Sequence, residues 1–452
     1  MPVVPRGRPV ADDLDIATRT AYDLPCPSVL DSNDYISKIQ QARIKGAANM
    51  EETALFQMAL GLVPPWKVVS AAFDVKSSCL NVHIDFPRGS MFNCPNCGVP
   101  CKAYDTAEKK WRHLNFFQHE AYLHARVPRV NCNTCGVKQI TVPWAREGSG
   151  FTLLFEAYVM SMVKVMPVNN VADKVKEHDT LLWRIVHHYV DNARDRADYS
   201  AVSRAAFDET SARRGHDYVS LFSDLEGRRI IFVADGKDSS TVAAFAADLL
   251  AHGGDPAAIA EVCIDMSAAF IKGTADHLPN AQITFDKFHA IKLINDAVDK
   301  VRRSEQKLRP ELKRTRYIWL KNSTNLSQPQ LDSLESLSKS NLKTARAYQM
   351  RITFQELYSQ PTREGGEAFL KKWYFWATHS RLPPMIEAAK SVKRHWEGIL
   401  RWFDSKIANG FMEGINSLVQ AAKAKARGYR STRNLKAIIY LIAGKLELQL
   451  PM

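Results

Sequence analysis

Three acids and two pairs of cysteines in this chain carry the spacing that site chemistry requires. Asp208, in Phe207-Asp208-Glu209-Thr210, and Asp265, in Ile264-Asp265-Met266-Ser267, each read as ending a short strand-like run. If those runs are neighbouring strands, the two carboxylates emerge side by side. Like charges so close are unfavourable unless a proton or a divalent cation lies between them. Glu413, in Asn409-Gly410-Phe411-Met412-Glu413-Gly414-Ile415-Asn416, sits on a helix with two stripes. Phe411, Ile415, Leu418 and Ala422 form the apolar stripe expected to dock on the sheet. Asn409, Glu413, Asn416, Gln420, Lys423 and Arg427 form the polar one. Mg²⁺ is a hard cation that prefers oxygen ligands, and Mn²⁺ is expected to substitute for it. Two such ions held by Asp208, Asp265 and Glu413 would activate a water or a 3′-hydroxyl and stabilise a leaving oxygen.

Each acid also has a bland reading, since aspartate often ends a strand or caps the next helix. Asp286, in Phe285-Asp286-Lys287-Phe288-His289, is read first as such a cap. His289 is read either as a phosphate contact or as a buried, satisfied histidine.

Cys94-Pro-Asn-Cys97-Gly and Cys132-Asn-Thr-Cys135-Gly are two knuckles separated by 34 residues. Tetrahedral Zn²⁺ needs four ligands, and each Cys-x-x-Cys turn supplies two from one tight loop. The glycine after each second cysteine suits a backbone that turns under a metal. One structural Zn²⁺ on Cys94, Cys97, Cys132 and Cys135 is therefore expected, with two unrelated or redox-active thiol pairs as the alternative. Cys101, four residues past Cys97, is read as a bystander, with substitution as a ligand the alternative; Cys26, Cys79 and Cys263 are read as core or surface thiols.

Between residues 150 and 195 the pattern is helical. Val171, Ala172 and Val175 make one short apolar face, with Asn169 or Asn170 able to cap it. After a turn at Lys176-Glu177-His178, with Asp179 as a cap, Leu182, Ile185, Val186 and Tyr189 repeat at helical spacing. Two helices across a three-residue turn suggest a helix-turn-helix. Its second helix presents Thr180, Trp183, Arg184, His187 and His188 on the expected outer face, either to a major groove or merely to solvent. Further on, Lys423, Lys425, Arg427, Arg430, Arg433 and Lys436 place six cations within 14 residues, around Tyr429. They can hold phosphates while Tyr429 packs on a sugar or base; a solvated basic helix end is the alternative.

The elements that must position these groups follow from the pattern of the chain. FDETS, YVSLFSD, RRIIFVAD, AEVCID and AQITFD read as five strands, three joined by turns and the last two reached through helices. Three antiparallel strands followed by two parallel ones is the order of an RNase H-like sheet. From about 300 to 408 no convincing strand appears. At 452 residues the chain should hold two to four domains. Its 61 Lys+Arg against 48 Asp+Glu give a net charge of +13, which favours a polyanionic partner. No apolar run reaches the ~20 residues that span a bilayer, and no secretory leader is visible, so no membrane association is expected. Eight cysteines in an intracellular chain are better read as ligands or core thiols than as disulfides.

FDETS, CIDMS, LPNAQITFDKFH and NGFMEGINSLVQAAKAKARGYRS resemble the ISL-three family of bacterial insertion-sequence transposases. GLVPPWKVVSAAFD, WRHLNFFQHEAYLHARVPRV and VPWAREGSGFT resemble its N-terminal half. The resemblance implies that Asp208, Asp265 and Glu413 are the catalytic DDE acids, and that the helical stretch is an insertion splitting the RNase H-like domain. One departure is that relatives can carry His at the position of Cys135. The expected architecture is a multidomain α/β chain. It runs as an arm (1–50), a region with the zinc ribbon (51–148), a helix-turn-helix (149–198), the first catalytic part (199–300), an all-helical insertion (301–400) and the last catalytic part (401–452). The function implied is binding of terminal inverted repeats, then Mg²⁺-dependent cleavage and strand transfer into target DNA, by a homodimer or higher oligomer in the cytoplasm, on the bacterial nucleoid. A domesticated DNA-binding regulator and an RNase H-like nuclease or resolvase without strand transfer are the competing readings.

Overall fold

The computed structural model describes residues 52–213, 215, 217–407 and 410–451. The expected arm, Cys26, Ala408 and Asn409 lie outside the described residues. After a short helix α1 (Glu52–Ala59), the first sheet contains β1 (Lys67–Asp74), β2 (Cys79–Asp85), β3 (Met91–Asn93), β4 (Pro100–Phe116), β5 (His119–Cys132) and β6 (Gly136–Gln139). Its order is β1-β2-β5-β4-β3, with β6 on β5. β4 and β5 form a long antiparallel hairpin, whereas β2 joins β5 in parallel. Alternation explains which side is covered. Leu80, Val82 and Ile84 of β2 and Leu123, Ala125 and Val127 of β5 are all buried, against Trp66, Trp111 and Trp144.

Helices α2 (Leu153–Val163), α3 (Val168–Val175) and α4 (Asp179–Asp195) follow. The turn between α3 and α4 is the three residues Lys176–His178, with Lys176 left-handed at φ 57°. Leu182, Ile185, Val186 and Tyr189 are buried as their spacing requires. The caps differ from expectation. Pro167 precedes α3 with no side-chain cap, and the ring of His178, not Asp179, accepts from Thr180 N–H. Asp179 instead opens the helix, where its charge suits the positive end of the dipole.

The second sheet contains β7 (Arg204–Ser211), β8 (Tyr218–Asp224), β9 (Arg229–Asp235), β10 (Glu261–Ile264) and β11 (Gln282–Phe285) in the order β11-β10-β7-β8-β9. β7, β8 and β9 are antiparallel, and β10 and β11 run parallel to β7. α5 (Ser240–Ala251) and α6 (Ala268–His277) make the crossovers. After α7 (Lys287–Glu305) come α8 (Arg316–Leu320), α9 (Gln328–Ser338), α10 (Lys343–Gln355), α11 (Arg363–Thr378), α12 (Pro383–Arg394), α13 (Trp396–Leu400) and α14 (Trp402–Ser405). Among the described residues this stretch holds no strand. The chain closes with α15 (Gly410–Lys425) and α16 (Thr432–Ala443).

The second sheet is covered on both faces. Ala205, Phe207 and Phe222 point to α5, α6 and the helical stretch, in one core with Trp319, Phe354 and Trp373. Ala206, Val219, Leu221 and Cys263 point the other way, into a core shared with α2–α4, α15 and α16. The docked stripe of α15 is Met412, Ile415 and Val419 rather than the expected Phe411, Ile415, Leu418 and Ala422. Leu418 is 43% exposed, so the helix is rotated from the expected phase about Ile415.

Candidate active site, zinc ribbon and DNA-binding surface

The four cysteines converge. Their sulfur atoms all lie within 4.8 Å of one another, and Cys97 Sγ and Cys132 Sγ are 3.5 Å apart. A tetrahedron of thiolates around Zn²⁺ has edges of about 3.8 Å at ordinary Zn–S lengths, so the set fits that ion. Gly98 and Gly136, after the two knuckles, both adopt φ 72°, the region a side chain disfavours. Backbone N–H groups of Cys135 and Thr134 aimed at Cys132 bring its thiol down to about 6, while the crowding of the four sulfurs holds Cys97 and Cys135 up. Cys101 stays outside the cluster, its thiol donating to Val99 O at 3.4 Å. Cys263 is buried in the sheet, where burial pushes its thiol up.

The ribbon is tied to the helix-turn-helix. Arg112 N–H donates to Gly150 O and Thr152 N–H donates to Arg112 O, both at 2.9 Å. The buried Arg112 guanidinium reaches Val175 O at 3.4 Å and Glu177, in the helix-turn-helix turn, at 3.5 Å.

Asp208 does not end its strand, because β7 runs on to Ser211 beside β8. It is β10 that stops short. β10 pairs with β7 as far as Cys263 opposite Ala206, so the same register carried two residues on sets Asp265 beside Asp208. Ile264 is likewise opposite Phe285, so the next step sets Asp286 beside Asp265. Three aspartates thus form one row across β7, β10 and β11.

Asp208 is 9% exposed; Oδ1 accepts from Glu209 N–H (2.8 Å) and Oδ2 from Asn416 Nδ2 (2.7 Å). Burial raises its carboxyl above the usual range; the Glu209 N–H and His289 oppose this, and Asp265 and Asp286 add to it. Asp265 Oδ1 accepts from Ser267 N–H at 2.9 Å. Helix α15 lies along β7 through its polar stripe. Asn416 reaches Asp208, Gln420 reaches Thr210 Oγ1 at 2.7 Å, and Lys423 donates to Ser211 O. Glu413, one turn before Asn416, is exposed. Its carboxyl is raised by partial burial and then by the charges of Asp286 and Asp208. Among the described residues only the cysteines bring three or more ligand atoms within 4.8 Å, so the three carboxylates stand further apart than that.

Asp286 is the cap its position suggests, accepting from Phe288 N–H at 3.4 Å. It also takes His289 Nδ1 at 2.9 Å. Glu209, half-buried beside Asp208, was not singled out from sequence; burial and Asp265 raise its carboxyl.

The candidate DNA-contacting residues divide. Thr180, Arg184, Lys425, Arg427, Arg430 and Arg433 are exposed, and Lys423 is half-buried. Trp183 and His187 are not on a free outer face. Trp183 packs edge-on against Tyr429 (6.2 Å), and His187 Nε2 bonds with Asn434 Oδ1 (3.0 Å). Tyr429 is thereby half-buried against protein rather than open to a base. The C-terminal segment also reaches α4 through Arg433–Asp191 (3.2 Å) and, more loosely, Arg430–Asp179 (3.7 Å). Lys425 Nζ donates to Val165 O at 2.7 Å.

Comparison with known proteins agrees along the chain. Residues 91–135 match the model described as the zinc-finger of transposase IS204/IS1001/IS1096/IS1165. Residues 140–190 match the helix-turn-helix domain of transposase family ISL3. Residues 206–439 match the ISL3 DDE model, described as transposase. The transposase for insertion sequence element IS1557 of Mycobacterium tuberculosis is 28% identical over 394 residues, covering 78% of this chain and 86% of the relative. That for IS1001 of Bordetella parapertussis is 26% identical over 359 residues, covering 76% and 87%. No helix of the described residues is long and apolar enough to cross a membrane. With the match over 206–439 alone spanning more than half of its 452 residues, the chain belongs to the ISL3 family of transposases.

Proposed function

We propose that the chain cuts and joins DNA phosphodiesters at the ends of an insertion sequence, using Asp208, Asp265 and Glu413 as a DDE triad on an RNase H-like domain. The observation that carries this reading is the placement of Asp208 and Asp265 in one register row, beneath the helix that bears Glu413. The antiparallel-then-parallel strand order supports the RNase H-like assignment, and the strand-free stretch between α7 and α15 supports a helical insertion. The domain limits that go with this reading are 51–148, 149–198, 199–300, 301–400 and 401–452, the one at 300 falling within α7.

Burial first, then the charges of Asp265 and Asp286, raises the carboxyl of Asp208, and burial with Asp286 and Asp208 raises that of Glu413; so much negative charge in one place suits divalent cations. Asp208, Asp265 and Glu413 would hold two Mg²⁺, or Mn²⁺ in their place. Such ions supply activation of the attacking oxygen and stabilisation of the leaving one. The protein's own part is positional. Asn416 holds Asp208 Oδ2, and Glu209 N–H holds Oδ1, so the carboxylate is oriented before any ion arrives. Thr180 and Arg184 would read the terminal inverted repeats. Trp183, His187 and Tyr429 would brace that helix, while Lys423, Lys425, Arg427, Arg430 and Arg433 offer positive charge to the backbone. Two ends must meet for transposition, so a homodimer or higher oligomer on DNA is expected.

The test is a joining assay. Purified protein, Mg²⁺, a labelled duplex carrying one element end and a target plasmid should yield cut ends covalently joined to plasmid. Cutting without joining would leave a nuclease or resolvase, and binding without cutting would leave a regulator.

A further inference from the structure

The row of aspartates ends on a residue that the three-acid reading does not use. Asp286 has no exposed side-chain surface, and its backbone N–H donates to Ile264 O at 2.9 Å, locking it to the end of β10. One carboxylate oxygen caps α7, and the other holds His289 Nδ1 at 2.9 Å across a single helical turn. A cap needs only the first of these bonds. The second fixes an imidazole whose side chain is 27% exposed and whose Nε2 has no hydrogen-bond partner among the described residues. The ring lies within electrostatic reach of both Asp208 and Asp265, and Glu413 in turn feels its charge.

Resting on the metal-carboxylate reading above, we infer that His289 gives a proton to the departing 3′-oxygen during cleavage, with Asp286 as its positioning residue. In that step the oxygen of water bonds to phosphorus while the P–O3′ bond breaks. The bonding pair goes to O3′, which takes the Nε2 proton and leaves as a 3′-hydroxyl. The phosphate stays on the 5′ end of the other fragment. The proton lost by the attacking water passes to solvent, and the imidazole is reprotonated from solvent. The hydrogen bond to Asp286, together with the surrounding acids, favours the protonated ring against the opposing effect of burial.

The experiment compares two duplexes bearing one end of the element that encodes the chain, one ordinary and one with sulfur replacing the bridging 3′-oxygen at the cleavage site. Sulfur leaves without needing a proton, and Mn²⁺ is used throughout because Mg²⁺ binds sulfur poorly. His289→Asn should slow cleavage of the oxygen duplex by roughly a hundredfold or more, yet slow the sulfur duplex by no more than about threefold. Duplex binding in Ca²⁺, read by fluorescence anisotropy, should be unchanged. Asp286→Asn, which keeps the histidine but loosens it, should show the same pattern with a smaller loss, and it serves if His289→Asn fails to fold. Equal losses on both duplexes, or no loss on the oxygen duplex, would overturn the proposal. Asp208→Asn should abolish cleavage of both. If it cleaved the oxygen duplex normally, the carboxylate reading would be the part that failed, and the proposal would fall with it.

Discussion

Replacing Glu156 by alanine removes a carboxylate shared by two groups of the loop before α2, Arg146 and Ser149, and one of α4, Tyr189. Glu156, on α2, is fully buried. Arg146 Nε donates to both oxygens at 2.9 Å, Ser149 Oγ to Oε1 at 2.6 Å, and the Tyr189 hydroxyl of α4 to Oε2 at 3.0 Å. Hydrogen bonds to a charged group contribute about 1.5–3 kcal/mol each, and breaking one side of a buried ion pair costs about 3–5 kcal/mol. Arg146 is 24% exposed and can rehydrate, which discounts its share. Tyr189 is 7% exposed, so its hydroxyl stays unpaired. The balance is a loss of about 3 kcal/mol in the anchoring of the helix-turn-helix, equivalent to roughly a hundredfold. Amide hydrogen exchange of peptides from 153–195 should accelerate by about that factor, while Tyr189→Phe should give about tenfold. Acceleration of less than about fivefold in Glu156→Ala would refute the idea that this carboxylate clamps the domain.

Zinc analysis should find one tightly held ion per chain, with Cys132→Ser weakening it and loosening residues 91–139; correctly folded, active protein without zinc would contradict the ribbon assignment. Arg184→Ala should weaken binding to element-end DNA more than to random DNA, since Arg184 is exposed on α4; an equal loss would make it a phosphate contact. Acid should loosen the junction between ribbon and helix-turn-helix. Burial, with Arg112 alongside, takes His113 from 6.5 down to about 4, and its Nδ1 meets Thr152 Oγ1 at 2.9 Å. Between those pH values the unfolded chain binds a proton that the folded chain refuses. Stability from this group is therefore intact above about 6.5 and is lost as pH falls towards 4, by at most about 1.4 kcal/mol per pH unit. Thermal unfolding of His113→Asn should show a shallower pH slope over that range, and a steeper one would reverse the sign of the argument.

Most of the frame was legible because it rests on local pattern. The runs around Phe207, Leu221, Ile231, Cys263 and Ile283 are β-branched or aromatic and bounded by turns, and they became β7 to β11. The cysteine knuckles carried their own geometry. What sequence did not show was contact across long separations. Trp183 and His187 look solvent-facing within α4, and only the return of Tyr429 and Asn434, more than two hundred residues later, covers them. The phase of α15 is not legible in the sequence, since Leu418 and Val419 are adjacent and equally apolar and only the sheet decides which turns inward. Asp208 reads as the end of its strand, yet the run FDETS continues to Ser211 and β8 pairs with it throughout. The Asp286–His289 pair was visible as spacing, but its place in a row with Asp208 and Asp265 required the register.

In the proposed mechanism Asp208, Asp265 and Glu413, and not the DNA-binding modules, perform the chemistry. Asp208→Asn, Asp265→Asn and Glu413→Gln are close to isosteric, so each removes charge while largely keeping shape. The decisive measurement is cleavage and joining of an element-end duplex by these variants in Mg²⁺ and in Mn²⁺, with binding of the same duplex measured in Ca²⁺. Each variant should lose cleavage and joining by orders of magnitude while binding within a few-fold of wild type. Glu413→Gln cleaving at the wild-type rate would contradict the account, because the exposed glutamate of α15 would then not belong to the catalytic set.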